Sequence, residues 1–211
     1  MGPDNRQRRQ VSWSRTWANP GYKPPWLGRG TSPELVWAVT RGHCHPPGKV
    51  LDIGCGEGRV AAWFAGQGFT AVGVDFARPA IRRARKAHAG TPNLLYEVVN
   101  VVRSPVPFAP YEVLVDRGCF HGLPPRDHLH YVENISRAAA GAAYFFLYIR
   151  AFRGSYDGPE ADEQKHLVAM IRRLFTGTFT LVRWKRTDIG AGWEQNSSKP
   201  LPGLFFLMRR R

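Results

Sequence analysis

Residues 50 to 58 read VLDIGCGEG. A short apolar run carries one acid, Asp52, and Gly54, Gly56 and Gly58 then fall at every second position. Three glycines this close damage a helix and give a strand nothing to pack. They belong in a turn whose backbone takes angles closed to other residues and against which something can lie. Val60, Trp63 and Phe64 follow with helical spacing from Arg59 to Gln67. Strand, glycine turn and helix therefore come in order, and the helix N-terminus favours a negative group on the ligand.

The dinucleotide spacing is G-x-G-x-x-G, and this turn is one residue short of it. Asp75 ends the next strand, Thr70 to Val74, where an acid accepts hydrogen bonds from two ribose hydroxyls. The plain alternative is a tight turn with Asp75 capping a helix.

The alternation continues along the chain. Lys49 to Ile53 is the first strand, Arg78 to His88 a helix, Leu94 to Val99 the third strand and Tyr111 to Val115 the fourth. Asp127 to Ala140 is a helix and Ala143 to Ile149 the strongest strand. Ser32-Pro33-Glu34 opens a helix running to about Arg41, with Ser32 as its cap. Glu160 to Phe175 is a further helix, and Phe179 to Arg186 with Leu204 to Met208 makes a closing hairpin. This pattern predicts an α/β fold of three layers, a Rossmann-like, doubly wound, mostly parallel sheet with an antiparallel C-terminal edge strand. Residues 1–31 form an arm or lid without periodicity, and residues 32–211 a single domain.

Bulk properties narrow the class. The 211 residues suit one core. The longest apolar run, Ala138 to Ile149, is too short to span a membrane, and MGPDNRQRRQ offers no secretory leader. The three cysteines read as reduced thiols, and a soluble cytoplasmic protein is expected. The net charge of +14 admits a polyanionic partner. Its clusters, Arg82-Arg83-Arg85-Lys86 among them, equally fit solvated helix faces.

At these residues the chain resembles the class I S-adenosylmethionine (SAM)-dependent methyltransferases. VLDIGCGEG is similar to their first motif, and VGVDFARPAIRRAR to the strand, acid and helix after it. The resemblance implies SAM as cofactor and S-adenosylhomocysteine (SAH) as product. It implies that Asp52, Gly54, Cys55, Gly56 and Gly58 hold the methionine part and that Asp75 holds the ribose. Phe76 takes the adenine face, and Asn100 and Val101 stand where the family often has an acid beside the adenine amino group. The Asn100 side-chain oxygen can accept the same hydrogen bond.

VDRGCFHGLPPRDH, residues 115 to 128, follows the fourth strand. Ligands sit beyond the carboxyl ends of strands in such sheets. Asp116, Arg117, Cys119, Phe120 and His121 are thus expected to face the methyl end. DRGCFHGLPP resembles the thiopurine-methyltransferase-like and tellurite-resistance-type subgroup, which methylates small molecules. PPWLGRGTSPELV resembles that subgroup's cap, implying that Trp26 and Arg29 lie near the cofactor; Leu27 stands where many members have Asp. His121 is the candidate general base with Asp116, itself also a cofactor contact, as its partner; His121 can equally pack or cap. Tyr22, Arg117, Cys119, Phe120 and Trp193 are candidate substrate contacts, and Trp13, Trp17, Tyr22 and Trp26 a possible lid. His43-Cys44-His45 is too compact to converge on one metal ion, and no metal is expected.

The expected activity is methyl transfer to O, N or S of a small-molecule acceptor. The alternatives are an RNA or DNA methyltransferase, motivated by the charge, and a non-catalytic SAM-binding protein. Nucleic-acid amino methylation wants an Asn or Asp followed by Pro-Pro and an aromatic after the fourth strand, and Asp116-Arg117-Gly118 departs from it.

Overall fold

Side chains alternate across a strand, so neighbouring residues enter opposite layers. In β1 (Lys49–Ile53), Leu51 and Ile53 face one layer and Val50 the other. In β5 (Ala139–Arg150), Phe145, Leu147 and Ile149 join the first layer, and Phe146 and Tyr148 the second. A computed structural model of the chain describes residues 5–24, 31–150, 161–189 and 202–211, and of residues 5–11 and 161–162 the backbone alone. Helices α5 (His128–Ala138) and α6 (Ala161–Phe175) cover the first face through Tyr131, Ile135, Val168, Ile171 and Phe175. The second face is covered by α2 (Pro33–Thr40), α3 (Arg59–Gly66) and α4 (Arg78–Ala87), through Leu35, Val60, Phe64, Ile81 and Ala84.

The remaining strands are β2 (Thr70–Asp75), β3 (Leu94–Val98), β4 (Tyr111–Arg117), β6 (Phe179–Asp188) and β7 (Pro202–Arg210). The sheet order is β3-β2-β1-β4-β5-β7-β6. The first five strands are parallel, and β7 runs antiparallel between β5 and β6. The order reverses between β1 and β4, and a crevice opens there beyond the strand ends. The outermost strand β6 is blunted by a bulge at Val182 and by Arg183, Lys185 and Arg186, which disfavour pairing with a second sheet edge.

Four local expectations are corrected. The arm is not aperiodic throughout: residues 5–18 form a helix, α1 (Asn5–Ala18). Residues 139 and 140 are strand, because β4 claims Ala139 as a partner for Tyr111 where alanine propensity alone favours helix. Ser32 does not cap α2 with its side chain; its hydroxyl lies 2.6 Å from the buried Tyr148 hydroxyl. That contact opens a polar network in which Tyr148, Thr187 and Lys185 converge on the buried Glu34 carboxylate. Desolvation pushes the Glu34 pKa up, but the Lys185 and Thr187 hydrogen bonds, a backbone hydrogen bond and the Lys185 charge together outweigh it and the net shift is downward. Finally, the α4 cations are not only solvated: Arg85 donates to the Tyr96 carbonyl at 3.0 Å and Arg83 holds α1.

Tyr96 of β3 lies against Gly58, whose φ is 83°; a Cβ there would come within 2.2 Å of the ring. The Tyr96 hydroxyl donates to the Gly58 carbonyl at 2.6 Å. Gly58→Ala is expected to cost about 3 kcal/mol in denaturant unfolding, from backbone strain and overpacking together. Adding Tyr96→Leu to Gly58→Ala should recover the packing share and leave the strain.

Candidate active site

Each glycine of the turn meets a different part of the chain. A Cβ on Gly54 would come within 2.6 Å of the Cys119 Cβ, in the loop after β4. One on Gly56 would come within 2.9 Å of the Trp17 ring of α1, and Gly58 carries Tyr96. The alternating spacing thus brings the β4 loop, the arm and β3 onto one five-residue turn. The Cys55 N–H donates to the Val74 carbonyl, which fastens the turn to β2.

Three carboxylates end neighbouring strands beside it, all nearly or fully buried. Asp52 accepts the Ala61 N–H at 3.1 Å and so caps α3 from a distance. Asp75 accepts the Gly56 N–H at 3.1 Å and the Ala77 N–H at 2.8 Å. Asp116 accepts from the Gly118, Cys119 and Phe120 N–H groups and, at 2.5 Å, from the Tyr131 hydroxyl. Burial pushes all three pKa values up, Asp52 to about 7 and Asp116 to about 6. The Arg117 charge opposes this at Asp52. Arg117 donates to the Ile189 carbonyl and lies over the Tyr148 ring at 5.3 Å.

The loop after β4 departs from expectation at four positions. Asp116 is engaged by its own turn and by Tyr131, and not by His121, so it ties the loop instead of orienting that histidine as a base. Phe120 is 1% exposed and stacks on His128, centroids 4.5 Å apart, in the core and away from the crevice. Cys119 packs on Gly54, and burial raises its pKa well above the ordinary thiol value. His121 is exposed, but its Nδ1 accepts the Arg150 N–H at 3.2 Å. That bond puts the proton of the neutral ring on Nε2. Although the residue as a whole is exposed, the protein packed around the ring, then the Arg150 charge, lower its pKa. A ring so placed is a weak base with its lone pair engaged.

Across the turn, Phe76, Arg78, Val98 and Asn100 face Ser14, Arg15 and Ala18 of α1 over a cavity of ≈ 560 Å³. Val101 does not line it: its side chain is 6% exposed in the core and its carbonyl accepts the Asn134 amide. The Asn100 side-chain oxygen accepts the Val102 N–H at 3.1 Å, which fixes the amide and leaves one oxygen lone pair and the NH₂ as its remaining hydrogen-bonding groups. Trp17 is 5% exposed and Tyr22 packs edge-on against it, centroids 5.3 Å apart; Trp13 is 39% exposed. Trp26, Arg29, Leu27 and Trp193 lie outside the described residues. His43 stacks on Trp37 while Cys44 is buried in the core, so these side chains diverge. Among the described residues no cluster of His, Cys, Asp and Glu is arranged to hold a metal ion, and no helix is long and apolar enough to cross a membrane.

Residues 50–140 match the family model described as a methyltransferase domain. The 2-heptyl-1-hydroxyquinolin-4(1H)-one methyltransferase of Mycobacteroides abscessus is 33% identical over 159 residues, 73% of this chain and 69% of the relative. The chain belongs to the methyltransferase family. Its fold matches a structure solved for the conversion of a disulfide bond into a thioacetal group during echinomycin biosynthesis, with TM-score 0.74, 21% identity, and 97% and 91% of the two chains covered. It also matches the Burkholderia thailandensis 1,6-didemethyltoxoflavin-N1-methyltransferase, with TM-score 0.69, 17% identity, and 100% and 91% covered. The methyltransferase is of class I, with the Rossmann-like sheet that this implies, and its methyl donor is SAM. The crevice fits that donor. Backbone is exposed at Gly54, Asp75 supplies acceptors, and the buried Asp52 and Asp75 suit a ligand carrying sulfonium and ammonium charges.

What sequence reading missed is the partner of each glycine. Trp17, Tyr96 and Cys119 are far from the turn in the chain, and no local pattern links them to it.

An acid whose pKa rises on folding holds its proton more tightly in the folded chain. Its share of stability is greatest in acid and is lost as pH climbs from the ordinary carboxylate range through about 7 for Asp52. Asp52→Asn keeps an acceptor for the Ala61 N–H. Without ligand, this variant should match the parent near pH 4 and gain on it up to about pH 7. The slope should reach at most about 1.4 kcal/mol per pH unit, read by denaturant titration.

Proposed function

We propose that this methyltransferase transfers the methyl group of SAM to a hydroxyl oxygen on a small heteroaromatic acceptor. The observation that carries the reading is the 33% identity, over 69% of its length, to an enzyme named for a hydroxylated quinolinone. The loop after β4 is consistent with it. Its acid is consumed by four donors and its histidine lone pair by Arg150, so proton removal is left to the acidity of the acceptor itself. A hydroxyl on an electron-poor ring ionises near neutral pH without a base.

When bound, SAM supplies a methyl group on a positively charged sulfur. Asp75 would hold the ribose hydroxyls, the 54–58 turn the methionine part, Phe76 the adenine face, and the Asn100 amide the adenine edge. Trp17 closes over Gly56 and excludes water. Arg117, at the end of β4 beside Tyr148, borders the acceptor, and His121 lines the same rim as a neutral donor through Nε2. Orientation and desolvation of an already ionised oxygen then carry the rate.

A second reading, an RNA or DNA acceptor, is favoured by one observation. Helices α1 and α4 pack together and contain no Asp or Glu.

The test is SAH formation from SAM with a panel of hydroxy- and N-hydroxy-heteroaromatics and with structured RNA and duplex DNA. Turnover on nucleic acid but not on the panel would reject the small-molecule reading; no turnover on either, with SAH bound, would favour a non-catalytic protein. Asp75→Asn should weaken SAH binding at least about tenfold by calorimetry, the scale of a hydrogen bond to a charged group.

For the turned-over acceptor, kcat/KM should follow the acceptor's own ionisation with pH. His121→Gln should cost less than about tenfold, against the 10²–10⁴-fold of a lost general base.

A further inference from the structure

The arm is held by one side chain that the cofactor reading does not use. Arg83 sits on α4, the helix that follows Asp75 and Ala77. Its Nη1 donates to the Tyr22 carbonyl at 3.0 Å and its Nη2 to the Asn19 carbonyl. Its guanidinium carbon lies 5.6 Å from the Trp17 ring centroid, over the ring. The two carbonyls belong to the turn that leaves α1. That turn is shaped by its own bonds, Asn19 N–H to the Arg15 carbonyl and Tyr22 N–H to the Asn19 carbonyl. A cation at this position also meets the negative end of the helix.

Among the described side chains of α1 only Trp17 is buried. Trp17 belongs to a small satellite cluster with Ala77, Ala80, Tyr22 and Phe76, separate from both main cores. Yet α1 supplies Ser14, Arg15 and Ala18 to one wall of the ≈ 560 Å³ cavity, and Trp17 lies on Gly56. A helix whose described side chains give it one buried anchor, and which forms one wall of a ligand cleft, is of the low-stability kind that opens locally.

We propose that Arg83 is the latch of this lid: by gripping the Asn19 and Tyr22 carbonyls and the Trp17 ring, it holds α1 shut over the cleft and sets how fast the cofactor enters and leaves. Arg83 is a positioning residue, acting through α1 and touching no reacting atom. The planar fork of Arg spans two carbonyls at once, and the point charge of Lys serves only one well. The inference rests on the assignment of this cleft to SAM.

The experiment compares the full chain with Arg83→Gln, Arg83→Lys and Arg82→Gln. The last removes the same charge from an exposed position one residue away. The readouts are the SAH dissociation rate by surface plasmon resonance and backbone hydrogen exchange. Arg83→Gln should speed SAH dissociation at least about tenfold, as expected for losing charged hydrogen bonds. It should raise the KM for SAM with kcat maintained, and speed exchange over residues 12–22 while β1 to β5 stay protected. Arg83→Lys should fall between, and Arg82→Gln should match the parent. Dissociation and exchange in Arg83→Gln equal to those of Arg82→Gln would overturn the latch. So would faster exchange spread across the whole sheet, which would make Arg83 a support of α4 alone. Failure of the parent chain itself to bind SAH would instead reject the cofactor assignment, and the latch with it.

Discussion

Three adjacent strands end in a carboxylate, and each carboxylate accepts the backbone N–H groups of the turn or helix that follows. Asp52 takes α3, Asp75 takes the glycine turn and the start of α4, and Asp116 takes the whole turn after β4. These bonds satisfy donors that helix starts and tight turns otherwise leave unpaired in a buried place. They also fix the rim of the crevice where the strand order reverses. Burial takes all three acids out of water, which is why all three have raised pKa values.

The glycine turn depends on this frame and in turn organises what lies above it. Its backbone is pinned below by Asp75 and Val74, and its open surface receives Cys119, Trp17 and Tyr96. No Cβ fits at any of the three contacts. The turn is therefore a junction of three chain segments as well as a surface for a ligand. Helix α1 shares the junction: Trp17 reaches Gly56 and Arg83 holds the turn behind it, so α1, the glycine turn and Asp75 belong to one unit built on β2 and α4.

Much of this was legible in the chain. The alternation of strands and helices, the turn and Asp75 follow from local spacing, and strand and helix boundaries agree within one or two residues at most positions. The loop after β4 was located, but Asp116 and His121 do not form the expected pair and Phe120 turns into the core. DRGCFHG contains an acid and a histidine five residues apart, a spacing that fits a catalytic pair. Folding sends Asp116 inward to Tyr131 and leaves the His121 nitrogen bound to Arg150. The basic run of α4 looked like solvated surface, yet Arg83 and Arg85 each serve a backbone carbonyl.

By itself the sequence determined the sheet, its crevice and the resemblance that names the cofactor, because these rest on periodicity and on residue types next to one another. Only the tertiary structure decided which acids are structural ties, which histidine nitrogen is engaged, and what presses on each glycine. Those outcomes depend on side chains such as Tyr96, Trp17, Tyr131 and Arg83, far from their partners along the chain. A hydrogen bond or a close approach between distant residues leaves no trace in local spacing, and burial, which sets the pKa values, exists only once the layers have closed.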